Sequence, residues 1–139
     1  MEKKTCLSLL VENNFGVLSR ISGLFARRGY NIDSLTVGTT ENAKFSRITI
    51  TVTGDEQILT QIKKQLNKLI DVITVIELKP EESITRELVF IKVKADDTNR
   101  NQIVEISNMF RGNIVDVARE SLIVEITGTR DKIDAFFNM

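Results

Sequence analysis

From Thr5 to Val11 the chain alternates, with Leu7, Leu9 and Val11 on one face, and Glu12, Asn13, Asn14, Phe15 and Gly16 then break the period. Period two predicts a strand with one buried face, and the break predicts a loop. Val17, Leu18, Ile21, Leu24 and Phe25 follow at helical spacing, Arg20, Arg27 and Arg28 take the polar face, and Gly29 supplies a left-handed stop after basic last-turn residues. Ile32 to Val37 and Phe45 to Thr53 read as strands joined by the polar segment Gly38 to Lys44. In the second of them Ile48, Ile50 and Val52 alternate with Arg47, Thr49, Thr51 and Thr53. Asp55 opens a helix whose stripe is Ile58, Leu59, Ile62, Leu66, Leu69 and Ile70, with Lys63, Lys64 and Lys68 beside it. Val72, Thr74, Ile76 and Leu78 restore period two. The order β-α-β-β-α-β predicts a ferredoxin-like arrangement, two helices covering one face of an antiparallel sheet.

The chain's single proline lies in the charged stretch Lys79 to Ser83, which suits a linker over 79–84 between a first domain, 1–78, and a second, 85–139. The pattern then repeats. Glu87 to Val93 is a strand, Ile103, Ile106, Ser107 and Phe110 mark a helix ended by Gly112, Ile114 to Ala118 and Leu122 to Thr127 are strands, and Asp131 opens another helix. FARRGYNIDSL (25–35) lines up with MFRGNIVDVA (109–118) around Gly29 and Gly112, as in a diverged copy. The expected fold class is α+β: two tandem ferredoxin-like (βαββαβ) domains, the second C-terminally incomplete. It lacks its last strand, and Phe136 and Phe137 on the short final helix are expected to have little cover.

Composition narrows the chemistry. Of 139 residues, 42% are hydrophobic and 27% charged, proportions that suit a soluble folded protein. Lys and Arg number 19 and Asp and Glu 19, so no whole-chain field favours nucleic acid or a membrane. The halves differ, with eleven basic and eight acidic residues in 1–80 and the reverse in 81–139. With no His, no Trp and one Cys, the chain cannot build a Ser-His-Asp or Cys-His triad, a His-based or Cys-rich metal site, or an internal disulfide. Cys6 is expected to be buried in the first strand, in a reduced, cytoplasmic setting. Met1 to Thr5 resembles no signal peptide, and no apolar run approaches the roughly 20 residues of a membrane span.

The segment Glu12 to Leu18, ENNFGVL, passes from strand directly into helix. Free N–H groups at a helix start attract anions, and Gly16 lets a ligand approach where a Cβ would stand. No Lys lies in the loop and the spacing matches no phosphate-binding fingerprint, so a carboxylate suits it better than a phosphate. The amides of Asn13 and of Asn31, just beyond the far end of the helix, offer donors and acceptors that fit an amino acid. An Asn- and Gly-containing turn that binds nothing fits the same residues. Arg20, Arg27, Arg28, Lys63, Lys64 and Lys68 read as solvated helix faces. Asp96 and Asp97, being adjacent, read as a surface turn rather than an acid/base pair.

LLVENNFGVLSRISGLFARRGYNIDSLTV (9–37), with GDEQILTQIKKQLNKLIDV (54–72) and NMFRGNIVDV (108–117), closely resembles the small regulatory subunit of acetolactate synthase, also called acetohydroxyacid synthase. The resemblance covers nearly the whole chain. It implies an N-terminal ACT domain, which binds amino acids where two such domains meet, followed by a second ferredoxin-like domain. It further implies a homodimeric, non-catalytic subunit that stimulates the large catalytic subunit and confers feedback inhibition by a branched-chain amino acid, valine first. The family's feedback-determining positions fall on Asn13, Gly16 and Asn31, and Asn14, Phe15, Val17 and Leu18 complete the implied effector site. No cofactor is expected in this chain; thiamine diphosphate, Mg and FAD are expected in the catalytic partner. Val17 and Leu18 either line the pocket or pack in the core. The alternatives from other classes are weaker: an RNA-binding ferredoxin-like module needs aromatics on central strands, where Phe90 near Ile91 is the one candidate, and a stand-alone enzyme needs a convergent pair of groups that is not visible.

Overall fold

Strands β1 (Lys3–Glu12) and β3 (Phe45–Gly54) lie side by side at the centre of a four-stranded antiparallel sheet, with β2 (Ile32–Thr39) outside β3 and β4 (Val72–Leu78) outside β1. The computed structural model describes residues 3–139, divided into a first unit that ends at Ser83 and a second that begins at Ile84. In the first unit the register sets Leu7 opposite Ile50 and Leu9 opposite Ile48. Opposed residues face the same way, so the apolar positions of both strands add into one surface. Helices α1 (Val17–Arg28) and α2 (Glu56–Asn67) cover it, and their stripes join the strands in a single buried cluster. Each buried Leu, Ile or Phe contributes on the order of 1.5–3 kcal/mol, so burial of the stripes, more than helix propensity, makes these segments helical.

The helix ends follow local chemistry. The Asp55 side chain accepts from the Ile58 N–H at 2.8 Å and caps α2. Gly29 closes α1 at φ 71, with Tyr30 N–H on the Phe25 carbonyl at 3.0 Å and the two rings edge to face. Ile70 departs from its expected place: α2 stops at Asn67, helical spacing no longer applies beyond it, and Ile70 is exposed. Cys6 is half-buried rather than buried, because strand alternation sends it to the side opposite Leu7 and Leu9. Near the end of the first unit Pro80–Glu82 forms one 3-10 turn.

The second unit runs β5 (Glu87–Lys94), α3 (Arg100–Met109), β6 (Asn113–Val117), β7 (Ser121–Gly128) and α4 (Arg130–Phe137), repeating the first five elements of the first unit. Its sheet has the order β5-β7-β6. Strand β7 is therefore central, and β5, which carries Ile91 and the exposed Phe90, is an edge strand among the described residues. Val124, Ile126, Ile133 and Phe136 form the core. Of the two terminal phenylalanines only Phe137 lacks cover, at 69% exposed; Phe136 is 7% exposed and meets Phe110 edge to face. Gly112 does not supply the left-handed stop of α3. Arg111 does, at φ 56, and Gly112 is needed because a Cβ there would stand 2.5 Å from the Ile126 side chain.

Candidate functional site

The loop from Glu12 to Gly16 is fastened on both flanks. Its backbone donates from Asn13 N–H to the Lys44 carbonyl and from Glu12 N–H to the Asp71 carbonyl, each at 2.8 Å. Asn13 gives a side-chain N–H to the Ala43 carbonyl at 3.1 Å and accepts the Ser46 hydroxyl at 3.2 Å. Asn14 donates to Glu12 Oε2 at 3.0 Å and to Asp71 Oδ1 at 3.2 Å. Arg20 Nε donates to Asp71 Oδ2 at 2.8 Å, and a second guanidinium nitrogen reaches the same oxygen. The Arg20 and Asn14 hydrogen bonds hold the Asp71 carboxyl below the usual range for an aspartate. Arg20 is thus an ion-paired residue and not simply part of a solvated face, and Lys63 likewise pairs with Glu77.

Gly16 stands at the N-cap of α1 with φ 85 and ψ 0, and no side chain caps the helix. Val17 N–H reaches the Asn14 carbonyl only at 3.4 Å, and Arg20 N–H takes the Gly16 carbonyl at 3.0 Å. The N–H groups of Leu18 and Ser19 between them have no acceptor among the described residues. They border an open pocket of about 300 Å³ that residues 13–18 line together with Val11, Val37, Ser46 and Ile48. The lining combines the apolar side chains of Val11, Val17, Val37 and Ile48 with these donors, a combination suited to a small carboxylate with a short apolar tail.

Asn13, Asn14, Phe15, Gly16, Val17 and Leu18 all reach this pocket. Val17 belongs to the core as well, whereas Leu18, 42% exposed, serves the pocket and not the core cluster. Phe15 is fully exposed at the rim. Asn31 is not brought here: it lies past the other end of α1, donating to Asp33 Oδ1 at 3.3 Å. At about 1.5 Å per residue, that helix separates Asn31 from Gly16 by roughly 18 Å. Ser46 and Asp71 carried no local signal in the sequence, since their partners in the loop and the first turn of α1 lie 33 and 51–57 residues away. Asp96 accepts from the N–H and hydroxyl of Thr98 and from Asn99 N–H, closing a turn before α3; these bonds lower its carboxyl pKa.

Residues 7–74 match the model of the AHAS small subunit-like ACT domain, and residues 86–139 match that of the small subunit of acetolactate synthase. The acetolactate synthase small subunit of Mycolicibacterium smegmatis is 53% identical over 133 residues, 96% of this chain and 78% of the relative. The chain belongs to the acetolactate synthase small-subunit family. A second family member, from Haemophilus influenzae, is 48% identical over 95% of this chain and 81% of its own length. The crystal structure of the acetolactate synthase small subunit of Thermotoga maritima superposes with a TM-score of 0.91 at 43% identity, covering 98% of this chain and 85% of that one. The crystal structure of the ACT domain from the GTP pyrophosphokinase of Chlorobium tepidum, at 18% identity and a TM-score of 0.50 over 56% of this chain and 100% of that one, shares the fold. In this small-subunit family member the ACT match contains the whole of the pocket described above.

Proposed function

We propose that this chain is the regulatory subunit of an acetolactate synthase, which stimulates the large catalytic subunit and makes it sensitive to valine. The observation that supports this reading most is the pocket at the start of α1, whose lining joins free N–H donors to apolar side chains. The valine carboxylate takes the N–H groups of Leu18 and Ser19, with the second side-chain N–H of Asn13 within the same lining, and the isopropyl group rests toward Val17, Val37 and Ile48. The pocket is open in a single chain, and a second copy closes it, bringing its own Asn31 to the polar end of the ligand. Occupancy then biases two states of the dimer, and a coupling of roughly 1–3 kcal/mol is enough to change the partner's activity usefully. Thiamine diphosphate, Mg and FAD act in that partner. This chain contributes no catalytic group, and the setting is the cytoplasm.

Reconstitution tests the reading. Purified large subunit is titrated with this chain, and acetolactate formation is followed with and without valine, leucine or isoleucine. The rate should rise to a plateau and then fall with valine, while the chain alone forms no acetolactate. Acetolactate formation by the chain alone, or a large subunit whose rate and valine response ignore saturating chain, overturns it.

A further inference from the structure

Asp71 and Arg20 do not line the pocket, yet the pocket's loop is tied to them. On the flank toward the β2–β3 connection the loop is held by Asn13, through Ala43 and Ser46. On the other flank one carboxylate does the holding. Asp71 takes the Asn14 amide on one oxygen and the Arg20 guanidinium on the other, while its backbone carbonyl takes Glu12 N–H. Asn14 and Arg20 bracket Gly16, the left-handed residue that starts α1, so Asp71 grips the chain before and after that residue. The guanidinium lies across the open side of Gly16, since a Cβ built there would meet Arg20 Nη1 at 3.3 Å. The two unpartnered donors, Leu18 and Ser19 N–H, fall inside the bracketed stretch, and their direction depends on how Gly16 is held.

We infer that Asp71 is a positioning residue of the effector site: through Arg20 and Asn14 it fixes the direction of the Leu18 and Ser19 N–H groups and so sets effector affinity without touching the effector. This rests on the effector reading proposed above. Asn14 and Arg20 are accordingly struts, not ligand contacts. Asp71 is ionised at neutral pH as any aspartate with an ordinary pKa is, and its hydrogen bonds extend that ionisation to lower pH, so the grip is present whenever the protein is folded near neutrality. The geometry also gives Gly16 a second role. A carboxylate placed on it would stand beside Arg20 and compete with Asp71 for the guanidinium.

The test is valine titration of the full chain by calorimetry, with Asp71→Asn, Arg20→Gln and the double variant. Each single variant should weaken valine roughly three- to thirtyfold. The double should be no weaker than the worse single, because both remove one strap. In amide spectra without ligand, the signals of Leu18 and Ser19 should shift or broaden while those of the central strands stay in place, a readout that a purely stabilising pair would not give. Arg20→Gln alters a half-exposed helix residue and keeps the test alive if Asp71→Asn fails to fold. Wild-type affinity in the folded single variants overturns the inference while leaving the effector reading intact. A wild-type chain that binds no branched-chain amino acid takes down both.

Discussion

Ser46 gives its hydroxyl to the side-chain carbonyl of Asn13 at 3.2 Å, and Asn13 gives an N–H to the Ala43 carbonyl at 3.1 Å, so one asparagine bridges two strand connections. The two partners are not equally placed, because Ser46 is buried and Asn13 is exposed. Ser46→Ala leaves an amide that water can serve and should cost under about 1 kcal/mol of stability. Asn13→Ala leaves a buried hydroxyl unmatched and should cost about 1–3 kcal/mol, besides weakening valine. Urea denaturation ranks the two, and the reverse order would contradict the bridging role.

Gly16→Asp carries two separable penalties. The backbone at φ 85 costs a non-glycine residue roughly 1–2 kcal/mol, with Asp among the better tolerated, so the fold should persist. The added carboxylate faces the helix N–H groups and Arg20, so losing even one charge-assisted hydrogen bond to the ligand should weaken valine at least about tenfold. Stimulation of the large subunit should survive while valine inhibition disappears. Gly16→Ala shares only the backbone penalty and should fall between; equal valine curves for all three proteins would sink the assignment.

Acid should undo the ACT unit late. Arg20 and then Asn14 lower the Asp71 pKa from its ordinary 3.8, and Lys63 lowers that of Glu77 from 4.5. A carboxylate whose folded pKa is depressed gives stability that is complete above its unfolded value and is lost as pH falls through the folded one. The urea midpoint should therefore stay level, as far as these groups decide it, down to about pH 5, then drop below about pH 4, with a shallower drop in Asp71→Asn. A steep loss already near pH 6 would place the controlling group elsewhere.

The second unit depends on Phe136. With that ring 7% exposed and set edge-on against Phe110 at 5.4 Å between centroids, Phe136→Ala should cost about 3–5 kcal/mol. Phe137→Ala, one residue on and 69% exposed, should stay within about 0.5 kcal/mol. Hydrogen exchange at the amides of β7 reads both. Similar protection in the two variants would mean that α4 does not pack as described.

The order of elements was legible because their periods are clean: two in β3, between three and four in α1, with Asp55 and Gly29 marking ends through their own backbone chemistry. Residues 13–18 were legible as one local group, which the fold gathers around a pocket, since a helix start and its loop are contiguous in sequence. Asp71 was not, because nothing local marks the partner of an arginine 51 residues earlier. Ile70 shows how a pattern overreaches, since it continued a stripe past the true helix end. Gly112 does follow the end of α3, but Arg111 is the left-handed residue there, and what constrains Gly112 is the Ile126 side chain. Asn31 is a different case: it lies far from the pocket in its own chain, so any role there belongs to an assembly.

The most direct measurement is a valine titration of the isotope-labelled full chain followed by backbone amide shifts. The largest saturable shifts should fall on Gly16, Val17, Leu18 and Ser19, with smaller ones at Ser46 and Ile48 and at Asn31. Shifts centred on residues 84–139, or saturable binding that leaves 13–19 in place, would contradict the effector site at the start of α1.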